Sequence, residues 1–299
     1  MQDDDKFKVG LNEKWDGALG IYPVNLVQEK TNILSFCFES GPPRQIPTAL
    51  YTAYTMNGKV GVSWWYCDPL RESRSQNKNG ETPTIFKKSV IDEEIELVKE
   101  KKINYYGDVA GYIHQAFEKY SIKNDKIAIM GSSHPTCEAF CIAYGANPHT
   151  IEYNKIICDD ERIETYTVEE YYSNPRLGHR PIVCDSGISI SSFEHDGLGK
   201  YGDPLDPDGD VKAMTRMKET IKPGGLLYLA VPIGKDRIDW NAHRVYGGHR
   251  LPVLLEGWEL IDSFGFDEKL FDMIPGDSRE ERPSYGYKHA LFVLKNTES

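Results

Sequence analysis

The sequence predicts an α/β fold with a doubly wound, mostly parallel seven-stranded sheet of the Rossmann kind, preceded by a β-containing extension. Three observations carry this expectation. From Lys126 onward, short apolar runs alternate with stretches of helical period, as strand–helix units do. The connections between them are short and carry glycine, proline, asparagine or aspartate. One run, "LLYLAVPI", is apolar throughout, the pattern of a central strand covered on both faces.

The elements follow in order. In the first part of the chain, "NILSFCFES", "ALYTAYTM" and "KVGVSWWYCD" are rich in aromatic and β-branched residues. They are separated by the turn-forming "GPPRQIP" and "NG", so a small β element is expected there. "RESRSQNKNGETPT" (71–84) is polar and reads as an exposed loop. Two helices come next: Ile91, Ile95 and Val98 share one face, as do Val109, Ile113 and Phe117. "KIAIMG" is the first strand of the alternating region. "PTCEAFCIAYGAN" reads as a helix that stops at Gly145. "HTIEYN" and "RIETYT" are the second and third strands, and Thr167 with Glu170 has the spacing of a capping box. "RPIVCDSGISI" is the fourth. After a long loop, Asp206-Pro207 is expected to open a helix, with Asp206 as the cap and proline in the first turn. Val211, Met214, Met217 and Ile221 form its apolar stripe. "KPGG" ends it, "LLYLAVPI" is the fifth strand, and "GWELIDSFGF" and "HALFVLK" complete the sheet. The division is an extension over 1–104 and a Rossmann domain over 105–299. The extension is expected to cap the pocket or to make a homodimer contact.

Composition narrows the function. The 299 residues are 39% hydrophobic and 27% charged, enough to bury a core. A net charge of −11 repels a phosphate backbone, so nucleic acid is not the expected partner. No apolar run approaches the roughly 20 residues of a membrane span. The acidic start "MQDDDKFK" is unlike a secretory leader, and the six cysteines contain no C-x-x-C pair. A cytoplasmic protein with reduced thiols is expected. Cys137 and Cys141 share a helix face without further ligands at metal spacing. Asp203, Asp206, Asp208 and Asp210 have hard-cation chemistry, but Asp206 is already accounted for as a cap, and no metal site is expected.

In a doubly wound sheet, ligands bind beyond the carboxyl ends of the strands. The first strand ends in Met130-Gly131-Ser132-Ser133-His134-Pro135, where glycine lets the backbone turn sharply and approach a ligand. The second ends at Glu152, 21 positions beyond Gly131. A carboxylate about 20 residues past such a loop is placed to accept both hydroxyls of a ribose. The extra glycines of G-x-G-x-x-G, which admit a pyrophosphate, are missing. That disfavours a dinucleotide and leaves an adenosine ligand without phosphates, of which S-adenosylmethionine is the obvious one. Gly131, Ser132, Ser133 and Glu152 are the expected cofactor contacts, with Tyr153 flanking the adenine and Ser186 and Gly187 lining the site.

The loop after the fourth strand, "SSFEHDGLGKYGDPLDPDGD", holds four glycines, two prolines, one histidine and six acidic residues. Together with the downstream "PGGLLYLAVPIGKDRIDWNAHRVYG", it closely resembles domain of unknown function family 268, which is grouped with the class I S-adenosylmethionine-dependent methyltransferase-like folds. The resemblance is carried by 185–250, is weaker over 105–180 and includes nothing in 1–90. The family's first-strand loop reads aspartate-isoleucine-glycine-serine. This chain has Ile129-Met130-Gly131-Ser132, without the acid. The resemblance implies the fold and S-adenosylmethionine as cofactor, and names no substrate.

Methyl transfer is a displacement on an activated sulfonium, so catalysis is largely positioning, with a base for an oxygen or nitrogen nucleophile. His195 is the expected base, since histidine titrates near neutrality. Glu194 or Asp196 would orient it. His243 and Arg244 should reach the same rim, Arg244 as an anion clamp and Tyr201 as a hydrogen-bonding or lining residue. The expected function is methyl transfer to a small polar acceptor, most simply a hydroxyl of a sugar or metabolite. The alternatives are a methyltransferase-like binding protein without turnover, for which the paired histidines would have little use, and an NAD-dependent oxidoreductase, which Glu152 would also suit. A serine hydrolase and a P-loop enzyme lack their motifs.

Overall fold

The computed structural model describes residues 42–67, 84–173, 182–276 and 285–297. The expected strand "NILSFCFES" and nearly all of the polar loop at 71–84 lie outside the described residues. The strands are β1 (Gly61–Trp65), β2 (Thr84–Phe86), β3 (Lys126–Met130), β4 (Asn147–Glu152), β5 (Ile156–Cys158), β6 (Glu164–Thr167), β7 (Ser186–Ile190), β8 (Leu226–Gly234), β9 (Arg237–Asn241), β10 (His243–Val245), β11 (Trp258–Phe264) and β12 (Tyr287–Asn296). The helices are α1 (Thr48–Tyr54), α2 (Lys88–Lys99), α3 (Val109–Lys119), α4 (Thr136–Ala143), α5 (Val168–Tyr172), α6 (Gly209–Thr220) and α7 (Arg250–Leu254).

Seven strands form one sheet in the order β11-β12-β8-β7-β3-β4-β6, with β12 antiparallel to both its neighbours and the other pairings parallel. This is the doubly wound arrangement that the strand–helix alternation predicts. The chain winds outward from β3 through β4 to β6, then returns to the other side of β3 as β7. The order therefore reverses between β3 and β7, and the crevice at their carboxyl ends is where such sheets take ligands. Two smaller sheets lie beside it, with pairing orders β1-β9-β10 and β2-β5.

Strand alternation divides the core. Ile127 and Ile129 of β3 join Tyr228 and Ala230 of β8 in one buried cluster, which takes in the apolar faces of α2, α3 and α4. Ala128 and Met130 join Leu227, Leu229 and Val231 in a second, together with Met214 and Met217 of α6 and Leu251 and Leu254 of α7. Each strand thus feeds both faces, as a period of two requires. Helix α2, before residue 105, contributes Ile91, Ile95 and Val98 to the first cluster. A third cluster joins Leu50, Tyr54 and Val60 to Leu198 and Leu205 of the long loop and to Ile238 and Trp240 of β9. Residues 42–67 are therefore packed onto the loop after β7. Tyr54 Oη donates to Gly197 O, and Trp240 Nε1 donates to Pro43 O at 3.0 Å.

Two expectations are corrected. "ALYTAYTM" is not a strand: its first six residues lie in α1, with Leu50 and Tyr54, four apart, as the buried pair. Aromatic and β-branched composition suits a strand, but burial every fourth residue is helical. Helix α6 starts at Gly209 rather than at Asp206-Pro207, and its N-cap residue Asp208 makes no side-chain cap. Asp206 instead accepts from Asp208 N at 3.1 Å and pairs with Lys212, which forms a turn ahead of the helix. Met214, Met217 and Ile221 are buried as expected, while Val211 is only half-buried. The expected capping box is present: Glu170 N donates to Thr167 Oγ1 at 3.1 Å, and Thr167 N to Glu170 Oε2 at 2.8 Å. Among the described residues, no helix is long and apolar enough to cross a membrane.

Candidate active site

The crevice at the β3–β7 reversal is lined by Met130, Gly131, Ile151, Glu152, Tyr153, Val168, Ser192, Asp196 and Arg216. Gly131 has φ +78°, a left-handed conformation that glycine adopts without penalty. A Cβ at this position would stand 2.0 Å from Ser192 Oγ, so the glycine also allows the β3 and β7 loops to touch. Glu152, at the end of β4, closes the floor: its Oε2 accepts from Ser132 N at 2.9 Å and its Oε1 from Tyr153 N at 2.7 Å. Burial raises its carboxyl above the ordinary range, against these backbone donors. Behind the loop, Glu138 of α4 is completely buried, facing Ser132 Oγ at 3.1 Å and accepting from Thr150 Oγ1 at 2.7 Å. Burial pushes it up to about 7. Tyr153 is 41% exposed at the mouth.

The loop after β7 divides its side chains between two compartments. Ser192 and Asp196 face the crevice, and Asp196 lies 3.6 Å from Arg216. Between them, the 3-10 turn Phe193–His195 directs Glu194 and His195 to the other side. There His195 Nδ1 meets Ala242 O at 2.5 Å. A carbonyl only accepts, so Nδ1 carries the proton and Nε2 carries the lone pair. Burial holds this imidazole well below its usual pKa, hence neutral. Glu194 Oε1 stands 3.9 Å from Nε2, and the ring of Tyr201 lies edge-on at 5.5 Å.

Around His195 the structure collects an aromatic and imidazole group. His243 is 6.2 Å from His195 and 5.3 Å from Trp65, centroid to centroid. Tyr287 is 5.2 Å from His243 and 5.7 Å from His289, and His289 is 5.2 Å from Tyr106. Trp65 stacks on Tyr285 at 5.8 Å and 15°. His243 Nε2 stands 3.1 Å from Asp239 Oδ2, out of line for a hydrogen bond.

The loop is held from within. Arg244 is 2% exposed; its Nη1 donates to Asp196 O at 2.6 Å and Glu194 O at 3.4 Å, and its Nη2 to Asp206 O at 3.2 Å and Pro207 O at 3.3 Å. Asp203 accepts from the amides of Gly197 (2.7 Å), Gly199 (3.1 Å) and Tyr201 (3.2 Å). Asp210, fully buried, takes Arg250 Nε and Tyr246 Oη, each at 3.1 Å. Burial raises its carboxyl, but Arg244 and Arg250 outweigh that and hold it below the ordinary range.

Gly131, Glu152 and Tyr153 therefore meet at one crevice, and His195, His243 and Tyr201 meet beside it; Ser132 is buried behind the crevice, its amide on Glu152 and its hydroxyl turned to Glu138. Several expected roles are corrected. Arg244 is no substrate clamp, because its guanidinium is spent on loop carbonyls inside the protein. Asp196 does not orient His195; it points into the crevice toward Arg216. Ser186 and Gly187 lie at the amino end of β7, away from the crevice. Ser186 Oγ donates to Asp125 Oδ2 at 3.0 Å, and a Cβ on Gly187 would meet Met217 Cε at 2.5 Å, so these residues serve strand and helix packing. Ser133 is exposed and does not line the crevice. The sequence reading missed Ser191, Ser192, Arg216, Glu138, His289, Tyr287 and Tyr106. The signal for His289 was a histidine interrupting an apolar strand. Its relevance depends on β12 running antiparallel, which brings the start of that strand to the carboxyl ends of the others.

A larger cavity of about 570 Å³ opens between β1 and the β8–β9 turn and shares no lining residue with the crevice. Among the described residues, no cluster of three His, Cys, Asp or Glu could hold a metal ion.

The family described as "Caenorhabditis protein of unknown function, DUF268" matches residues 124–297. No curated protein matches the chain. Solved structures similar to it include the 1,6-didemethyltoxoflavin-N1-methyltransferase of Burkholderia thailandensis, crystallised with 1,6-didemethyltoxoflavin and S-adenosylhomocysteine. That likeness has 11% identity and a TM-score of 0.45 over 80% of this chain and 94% of that one. TehB of Haemophilus influenzae is similar at 12% identity and a TM-score of 0.41, over 67% of this chain and 66% of that one.

Proposed function

The chain belongs to the DUF268 family, and from that membership and the geometry of its crevice we propose that it transfers a methyl group from S-adenosylmethionine to a hydroxyl of a small polar acceptor, a sugar above all. One observation carries the reading: a ribose-type carboxylate site and a neutral, base-competent imidazole lie on adjacent faces of one loop.

The groups at the crevice have the chemistry an adenosine cofactor calls for. The backbone amides of Ser132, Tyr153 and Asn154 fix the Glu152 carboxylate at the end of β4, the acceptor that ribose hydroxyls require there. Tyr153, exposed at the mouth, offers its ring to adenine. Ser192 packs against Gly131, and the loop lacks the further glycines that admit a pyrophosphate, which disfavours a dinucleotide. When bound, S-adenosylmethionine supplies an electrophilic methyl on a sulfonium. The protein's part is to orient, exclude water and take a proton. His195 does the last, through the Nε2 lone pair that the Ala242 carbonyl reserves. Trp65 and Tyr285, 44% and 65% exposed, offer flat apolar faces beside the polar groups, a combination suited to the two sides of a sugar ring.

Calorimetry with S-adenosylmethionine, S-adenosylhomocysteine and NAD on ligand-free protein tests the reading. Micromolar binding of the two sulfur compounds is expected, weakened at least tenfold in Glu152→Ala, consistent with about 1.5–3 kcal/mol for a hydrogen bond to a charged group. Once an acceptor is found, His195→Ala should lower turnover about 10²-fold or more with cofactor affinity intact. Binding of NAD alone, or of none of the three at millimolar ligand, overturns the proposal.

A further inference from the structure

Behind His195 lies a chain of polar groups that the base alone does not require. Glu194 is completely buried, and its Oε2 has no hydrogen-bond partner. Its Oε1 accepts from Ser191 Oγ at 2.6 Å. Ser191 Oγ in turn meets His289 Nε2 at 3.3 Å. The proton count orders this chain. The serine has one proton and gives it to Glu194, so His289 must donate to the serine through Nε2–H. His289 is neutral, as burial pushes it down to about 4. Ser191 also holds φ +50°, a left-handed conformation unusual for a residue with a side chain. Such departures persist only where the surroundings enforce them, and here the result is a hydroxyl placed between an acid and a histidine.

We propose that Glu194, set by Ser191 and His289, is the final holder of the proton that His195 takes from the acceptor. The inference rests on the methyl-transfer reading. As the oxygen–methyl bond forms and the sulfur–methyl bond breaks, the bonding pair leaves with sulfur, which becomes a neutral thioether. The acceptor proton moves to His195 Nε2. A buried imidazolium is disfavoured, and Glu194 Oε1 stands 3.9 Å away. Passing the proton to the carboxylate leaves a neutral histidine and a neutral acid in a dry site, and the acid loses its proton to solvent between turnovers. Glu194 must begin each turnover ionised. Its burial pushes it up to about 7, so this requirement falls in the physiological range. Facing it are the cations Lys200 and Arg244, the phenols Tyr106, Tyr246 and Tyr287, and the neutral His195 and His289.

The test is Glu194→Gln in the full chain, read by NMR titration of the histidine rings and by the pH profile of turnover. In the wild type, the ring resonances of His195 and His289 should shift with an inflection near pH 7 that reports Glu194. In Glu194→Gln that inflection should vanish while thermal unfolding stays cooperative. The acid limb of kcat should vanish with it, kcat should fall about tenfold to a hundredfold, and KM should stay unchanged. Should Glu194→Gln not fold, Ser191→Ala reads the same relation: losing its donor, the carboxylate is harder to ionise and the inflection moves to higher pH. No inflection in the wild type, or one that survives in Glu194→Gln, overturns the proposal. A wild type that shows the inflection but binds no S-adenosylmethionine overturns the methyl-transfer reading instead.

Discussion

Replacing Glu138 with glutamine should stabilise the fold, and only where the carboxylate would be charged. Glu138 sits fully buried beneath the Gly131 loop, and burial moves its pKa from the ordinary 4.5 to about 7. In the unfolded chain it ionises at the ordinary value. Between pH 4.5 and 7 the folded state therefore binds more protons than the unfolded state, and stability falls as pH rises. At about 1.4 kcal/mol for each pH unit, the loss is about 3 kcal/mol and is complete above pH 7. Glutamine keeps the shape: its oxygen accepts from Thr150 Oγ1, and its amide donates to Ser132 Oγ. Urea unfolding of both proteins from pH 4.5 to pH 8 measures the difference. Equal stability is expected at the acid end, and a variant more stable by about 3 kcal/mol at pH 8. The pH slopes contributed by Glu194, His195 and His289 are common to both proteins and cancel. A gap that is absent at pH 8, or that does not grow with pH, refutes the reasoning.

Two further substitutions test the frame of the site. Gly131→Ala should cost about 1–2 kcal/mol for its left-handed backbone and also weaken cofactor binding, because its Cβ meets Ser192 Oγ at 2.0 Å; adding Ser192→Gly should recover part of the binding, which calorimetry reads. Asp210→Asn removes the buried counter-charge of Arg244 and Arg250, leaving Arg250 only the exposed Asp208 at 3.6 Å, and should cost about 3–5 kcal/mol by urea unfolding; a loss below 1 kcal/mol would show that the loop carbonyls and Asp208 satisfy the two arginines.

The sheet was legible because its signals are local. Apolar runs of strand length between helical stripes give βα units, and their order along the chain restricts the winding. Gly131 and Glu152 were legible for the same reason: both end a strand, and strand ends are where the site must be. What stayed hidden depends on direction and register. Ser186 and Gly187 look equivalent to strand-end residues until β7 is known to begin at Ser186 rather than earlier. His289 is 94 positions from His195 in the chain, and only the antiparallel course of β12 brings it close. Arg244 follows a histidine that does reach the rim. Strand alternation sends neighbouring side chains to opposite faces, and the arginine turns inward. Helix α1 was hidden because its residue types favour a strand, and burial against Leu198 and Leu205 decides the matter.

The manner in which Arg244 is spent bears on how freely this site can change. Its partners are main-chain oxygens at positions 194, 196, 206 and 207, which every amino acid carries. The side chains at those positions can therefore be exchanged without untying the arginine. Loop shape and loop chemistry are set by different atoms. Gly197 and Gly199, with left-handed backbone, belong to the shape; a descendant of this chain could acquire a new acceptor through Lys200 and Tyr201 while keeping the same curve of backbone across the crevice.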